Sequence, residues 1–236
     1  MTISNSIQYK VEEALKEGVE SARAKSGMAI VLDPKTGEIL AMANYPTFDL
    51  NKFNEATPEL YANKSVQNAY TPGSVFKLVT YGSALEEKLI NPNESLDCNN
   101  GTLDISGHIF NDKHCLTKIS YIDAFAISSN IGAIRTSQKV GKEKFFKYAR
   151  QFGFGEQTGV ELPAESKGLI RSPENWNPDS LASMSIGYEI NVTALQSAAA
   201  FATIANDGVK VKPHIIKEIQ QEGKTVSTTQ VEKIQV

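Results

Sequence analysis

At 236 residues, with 41% hydrophobic and 22% charged residues, the chain can bury a sizeable core without metal or disulfide staples. A formal net charge of -3 leaves no basic excess to hold nucleic acid or an anionic membrane surface. No apolar run approaches the roughly 20 residues of a membrane-spanning helix, and residues 2–25 are too polar for a signal peptide.

Ile7, Val11, Ala14, Leu15, Val19 and Ala22 recur at helical spacing, so residues 5–25 read as an amphipathic helix. Apolar stretches at 28–32 and 38–43 flank Asp33-Pro34-Lys35-Thr36-Gly37, which has turn composition, and the three together predict a β-hairpin. Residues 44–70 are rich in Asn and Pro and read as irregular. A second helix is expected over 72–88. Residues 91–118 have loop composition with room for one small hairpin. Helices at 119–127 and 131–140 flank Ser128-Ser129-Asn130, and another amphipathic helix at 142–152 is ended by Gly153 and Gly155. Residues 156–190 read as loop, punctuated by Pro163, Pro173 and Pro178. Thr193 and Gln196 stand at capping-box spacing before an alanine-rich helix that reaches Asn206 and stops at Asp207-Gly208. That helix is apolar almost all round, which predicts a buried central position. The tail alternates through VKVKPHIIKEI and turns at Glu222-Gly223, so it reads as strands. Strands at both ends with helices between them predict an α+β fold.

Cys98 and Cys115 admit three readings: two free, half-buried thiols, a disulfide closing a short loop, or a metal site completed by His108 and His114. The metal reading suffers from the adjacency of His114 and Cys115, because neighbouring side chains rarely converge on one ion.

The stretch AYTPGSVFKLVT (69–80) concentrates chemistry. Thr71 is suited to cap a helix, and Pro72 to its first position, where no N–H is needed. Ser74 then falls in the first turn, whose free backbone N–H groups suit an oxyanion. Gly73 leaves the approach to Ser74 open. Lys77, three residues on, shares its face. A serine hydroxyl becomes nucleophilic when a base removes its proton, and a lysine can do so if burial or nearby positive charge lowers its pKa. On spacing alone the same residues also describe a capping serine beside a surface lysine. Ser128-Ser129-Asn130 likewise also describes a turn with capping side chains.

The S-x-x-K followed by S-x-N resembles the penicilloyl-serine transferases, that is, penicillin-binding proteins and class A β-lactamases. Longer phrases carry the resemblance across nearly the whole chain. TISNSIQYKVEEAL and GMAIVLDPKTGEILAMANYPTFDLNKFN are similar to the opening of a class B penicillin-binding transpeptidase domain. TPGSVFKLVT is similar to its nucleophile helix, AFAISSNIGA to its second motif, and FGFGEQTGVELPAESKG and SMSIGYEINVTALQSAAAFATIANDG to later landmarks. The SSN triplet and SIGYEINVT look more like the cell-division (septal) type than the elongation type.

The resemblance implies a transpeptidase/β-lactamase-like serine acyltransferase fold with an antiparallel sheet and a helical subdomain, as one domain over residues 1–236. It implies Ser74 as acylated nucleophile, Lys77 as general base, Ser128 as proton relay, and Asn130 as a holder of Lys77 and of the substrate's amide. The implied reaction is D,D-transpeptidation of peptidoglycan stem peptides ending in D-alanyl-D-alanine, with β-lactams as stalling mimics. It implies no metal or organic cofactor, no nucleic acid, cell-division proteins as partners, and a place on the extracytoplasmic face of the bacterial membrane. The family's third motif, Lys-Ser/Thr-Gly, does not follow Asn130; Lys35-Thr36-Gly37 has the letters but precedes Ser74 in a turn, and reads as structural. The resemblance therefore implies a domain truncated at both ends, without its membrane helix, pedestal module and third-motif strand. An incomplete sheet, marginal stability or self-association, and weak or absent β-lactam acylation are the expectations for the chain by itself. A non-catalytic, partner-binding remnant and a β-lactamase-like hydrolase are the competing functions.

Overall fold

The computed structural model describes all 236 residues. In chain order the helices are α1 (Asn5–Ser21), α2 (Lys64–Gln67), α3 (Lys77–Glu86), α4 (Tyr121–Ala126), α5 (Asn130–Val140), α6 (Lys142–Gln151), α7 (Ser180–Ser185) and α8 (Ala194–Ala205). The strands are β1 (Gly27–Leu32), β2 (Ile39–Tyr45), β3 (Ser95–Asp97), β4 (Thr102–Ile105), β5 (His108–Asn111), β6 (Lys118–Ser120), β7 (Val209–Val211), β8 (Glu218–Gln221), β9 (Lys224–Thr228) and β10 (Lys233–Gln235). They form two compact units, one of Met1–Ala69, Glu156–Gly168 and Val192–Val236, the other of Tyr70–Gly155 and Leu169–Asn191.

The first unit is built on the expected hairpin. β1 and β2 pair antiparallel from Gly27↔Tyr45 to Leu32↔Ile39, with a register shift at Val31/Leu32. Asp33 sets the turn: its Oδ1 accepts the N–H groups of Lys35 and Thr36, and its carbonyl accepts that of Gly37. Gly37 sits at φ +79°, and a Cβ there would lie 2.3 Å from the Lys212 carbonyl oxygen, so the backbone contact requires glycine. β2 alternates, with Ile39, Ala41 and Ala43 buried, as a strand covered on one face must. Ile39 packs with Val66, Val160 and Leu195 in a core edged by Ile3, Ile30, Leu32, Met42 and Leu162. α1 lies on β2 and α8 on β1.

The capping box at α8 forms in both directions between Thr193 and Gln196. Gln196 also donates to the carbonyls of Glu156 and Lys167, which satisfies a fully buried amide. The all-round burial expected of α8 does not hold. Leu195, Ala199, Ala200 and Ala202 are buried, but Phe201 and Ile204 are exposed, because only one face meets the sheet. α1 also ends earlier than its apolar pattern suggests: Arg23 turns to φ +51° just past Ser21. The tail forms strands, but residues 212–217 belong to none. β7 pairs with β10 and β8 with β9, and every residue of β8, β9 and β10 is exposed. The chain thus has five separate two-stranded antiparallel ladders, none merged into a larger sheet.

The second unit is built mainly of helices, with β3 to β6 as an excursion. α3 packs on α5 and α6, and α5 packs on α7. Phe76 meets Phe145 and Phe154 edge-on, at ring-centroid distances of 6.0 and 4.9 Å, and Phe145 meets Trp176. Each buried aromatic of this kind contributes about 1.5–3 kcal/mol. α7 falls where a loop was expected. SLASMS is short, and Leu181 and Met184 are too few to show an amphipathic period, yet Ser180, Ser183 and Ser185 are all buried.

The stretch 95–120 holds more order than one small hairpin. β3 pairs with β6 around the inner pair β4–β5. Cys98 and Cys115 are joined in a disulfide, with Cα atoms 5.6 Å apart, which overturns the free-thiol and metal readings. His108 instead bonds Asp179. Strands of three or four residues are too short to announce themselves by alternation.

Candidate active site

Ser74 lies in a single 3-10 turn, Gly73–Phe76, that runs directly into α3. Pro72, not Thr71, stands at the N-cap, and no side chain caps this turn. The Thr71 hydroxyl bonds Asn191 Oδ1 at 3.3 Å instead, which corrects the capping role expected of it. Gly73 takes φ +57° and donates its N–H to the Gly187 carbonyl at 3.2 Å. Gly187 is at φ +84°, and a Cβ there would lie 1.9 Å from the Gly73 oxygen. Two glycines therefore press backbone on backbone immediately before the serine. Ser74 itself is exposed, and a Cβ on Gly73 would meet nothing within 4 Å, so the approach to the hydroxyl is open.

Lys77 is the opposite case, with only 2% of its surface exposed. Its ammonium has three donors, and all three are used. Nζ donates to the Ser128 carbonyl at 2.6 Å, to Ser128 Oγ at 3.1 Å and to Asn130 Oδ1 at 2.8 Å. Burial pulls its pKa from the ordinary 10.5 down to about 8, against the opposing charge of Asp112. Ser74 is not among its partners, so the expected Ser74–Lys77 hydrogen bond is absent. The donors are committed to Ser128 and Asn130, which stand across the chain on another turn.

That turn is shaped for the task. Ser128 is exposed and held at φ +57°, a backbone region costing an L-residue about 1–2 kcal/mol. This conformation lets both its carbonyl and its hydroxyl meet one ammonium. Ser129 is fully buried and caps α5, accepting the Gly132 N–H at 2.8 Å. Asn130 opens α5, and its Nδ2 donates to the Asn111 carbonyl at 3.3 Å.

Of the four residues singled out in the sequence, Lys77, Ser128 and Asn130 are hydrogen-bonded together, and Ser74 sits one helical turn before the lysine. Sequence reasoning missed Asp112 and the Gly73–Gly187 contact. Asp112 left one local signal: it precedes Cys115 by three residues and accepts the N–H groups of His114 and Cys115, an Asx-type turn. Its reach to the S-x-N turn had no such signal. No cluster of His, Cys, Asp or Glu is arranged to hold a metal ion, and no helix is long and apolar enough to cross a membrane.

Residues 27–236 match the penicillin binding protein transpeptidase domain, and the chain belongs to that family. It is 38% identical to penicillin-binding protein PbpB of Mycolicibacterium smegmatis over 240 residues, covering 100% of this chain and 37% of that protein. It is 33% identical to stage V sporulation protein D of Bacillus subtilis, covering 90% of this chain and 34% of that protein. Among solved structures, penicillin binding protein 3 of Mycobacterium tuberculosis, complexed with aztreonam, superposes with a TM-score of 0.93 at 34% identity. That match covers 99% of this chain and 53% of the other. The chain thus spans between a third and two fifths of the length of these curated relatives.

Proposed function

We propose that this chain is the acyl-transfer region of a D,D-transpeptidase of the cell-division type, which cross-links peptidoglycan stem peptides through a Ser74 acyl-enzyme. The single observation behind this reading is the buried lysine: Lys77 reaches Ser128 and Asn130 and has a pKa drawn down to about 8. A lysine in that range is neutral in a useful fraction of molecules near neutral pH, and so is able to take a proton.

In this reading the neutral amine of Lys77 accepts the Ser74 proton as Oγ attacks the carbonyl carbon of the penultimate D-alanine. The negative charge that develops on the carbonyl oxygen is met by backbone N–H groups of the turn bearing Ser74. Ser128 Oγ, already hydrogen-bonded to Lys77, passes a proton to the departing amine of the terminal D-alanine. Asn130 holds the lysine and offers its amide to the substrate's peptide. An amine of a neighbouring stem then attacks the acyl-enzyme, and the same groups run in reverse. β-Lactams enter as mimics of the dipeptide. The disulfide fits an oxidising, extracytoplasmic setting.

The test is incubation with a fluorescent penicillin followed by intact-mass and peptide mapping, on this chain and on its Ser74→Ala variant. A stable adduct on Ser74, formed weakly and lost in the variant, supports the proposal. No adduct favours a non-catalytic, partner-binding role. Rapid release of hydrolysed drug favours a β-lactamase-like hydrolase.

A further inference from the structure

Asp112 is a buried carboxylate, 6% exposed, that the chemistry above leaves unused. It follows β5, inside the excursion closed by the disulfide. Its own N–H donates to the Gly101 carbonyl at 2.8 Å. Gly101 sits at φ +77°, where a Cβ would lie 2.6 Å from the Asp112 carbonyl oxygen, so the two backbone segments meet as closely as only glycine permits. The carboxylate then faces two ways. Oδ1 accepts the N–H groups of His114 and Cys115, at 3.0 and 3.2 Å, within its own hairpin. Oδ2 accepts Ser129 Oγ at 2.5 Å and the Ile131 N–H at 3.2 Å, on the S-x-N turn and the first turn of α5.

Burial alone would raise the pKa of this carboxyl, but the donors from Ser129, His114, Ile131 and Cys115 outweigh it and hold the group below the usual carboxylate range. Its charge is felt by two titratable side chains on the facing helix α3, Lys77 and Tyr81. The turn between them, Ser128-Ser129-Asn130, offers no titrating group, and Cys115 is closed in the disulfide.

We propose that Asp112 is a positioning residue for the site: through Ser129 and Ile131 it fixes the turn from which Ser128 and Asn130 hold Lys77, and it supplies the carboxylate charge that reaches that lysine. Ser129 is the central residue of the triplet, and this link explains why it is the buried one. The inference rests on Lys77 being the working base, and it adds a group outside the reacting atoms that sets the base's place and charge. A purely local role for Asp112, as the knot of its own hairpin, would involve Oδ1 alone.

Asp112→Asn separates the two roles. Asparagine has the same shape and keeps one oxygen for the hairpin amides, but it removes the charge and presents N–H groups where Oδ2 accepted. The readouts are NMR titration of the Lys77 Cε signal in lysine-labelled protein and hydrogen exchange of individual amides. We expect the Lys77 midpoint to fall by about half a unit or more, because a nearby negative charge that favoured the protonated form is gone. We expect the Ile131 amide to exchange at least about tenfold faster while His114 and Cys115 keep their protection. A Lys77 midpoint that stays put or climbs toward the ordinary lysine range, or an unchanged Ile131, overturns the proposal.

If the variant does not fold, acid titration of the wild-type chain decides. The Ile131 amide and Lys77 Cε signals should move with the same midpoint as the Asp112 carboxyl carbon, and their indifference overturns the proposal equally. Neither readout needs a covalent adduct. Failure of penicillin to label Ser74 therefore counts against the proposed function alone, and labelling with an inert Asp112 counts against this inference alone.

Discussion

Two tripeptides in this chain have the composition of functional motifs, and the structure uses them in opposite ways. Lys35-Thr36-Gly37 caps the β1–β2 hairpin. Its lysine is 65% exposed and makes a long surface ion pair with Asp207 at 3.7 Å. Its glycine is the residue with a tight environment, wedged against the Lys212 backbone. Ser128-Ser129-Asn130 also occupies a turn with a positive φ, but its flanking residues hold a buried lysine and its central residue reaches a buried aspartate. The letters of a motif do not carry its chemistry. A turn becomes chemical when it is paired with a charged group that has been taken out of water, because only there do a few hydrogen bonds decide a protonation state.

The largest effect that would break this contrast is on the lysines. Lys77→Ala should lower the acylation rate of Ser74 by about 10²–10⁴-fold, the usual worth of a general base, as read from the rate of fluorescent penicillin labelling. A loss smaller than threefold would mean that the buried lysine is not the base. Next comes the support of the S-x-N turn. Opening the Cys98–Cys115 bridge, which closes 17 residues of sequence, should cost about 3 kcal/mol by the loop-entropy argument, measured by urea unfolding of the double alanine variant.

On the other turn the sensitive position is the glycine. Gly37→Ala forces a side chain into φ +79° and against a carbonyl, and should cost about 1–3 kcal/mol of stability while leaving the Lys77 titration where it was. If that titration moved, the two turns would be energetically coupled and the contrast between them would fail.

The pH dependence follows from the same burial. The pKa of Lys77 is depressed to about 8 from 10.5, so between those values the unfolded chain binds more protons than the folded one. Stability contributed by this group therefore rises with pH from about 8 to 10.5, and below 8 the full cost of burying the charge is present. Unfolding curves of wild type and Lys77→Met, compared at both ends of that window, should converge at high pH. The smallest effect belongs to Lys35→Ala, expected to stay within about 0.5 kcal/mol, since an exposed pair at that distance contributes little.

How far the sequence could be read follows from distance along the chain. The β1–β2 hairpin, the Thr193–Gln196 capping box and the helices α1, α5 and α6 rest on rules that act within a few residues, and each was legible with ends displaced by a few positions. Ser74 and Lys77 were legible because three residues of helix put them on one face. α7 was not, because SLASMS is held by its surroundings, including the Thr80 hydroxyl on the Ser185 carbonyl, and carries no amphipathic stripe of its own. The exposed face of α8 was misread for the converse reason: composition reports how apolar a helix is, not how many of its sides find a partner.

By itself the sequence determined the α+β class, the turn chemistry of Asp33–Gly37, and the placement of a serine and a lysine at the start of one helix, since these depend on local propensity and periodicity. Tertiary structure buries Lys77 and binds it to Ser128 and Asn130, 51 and 53 residues away, a link that the family resemblance implied and that no spacing rule carries. It also joined Cys98 to Cys115 and brought Asp112 to Ser129 across 17 residues. The physical reason is that a pKa and a buried hydrogen bond depend on which groups exclude water from one another, and a disulfide on which thiols are brought within reach. That exclusion is settled by packing between elements, on which spacing within an element has no hold.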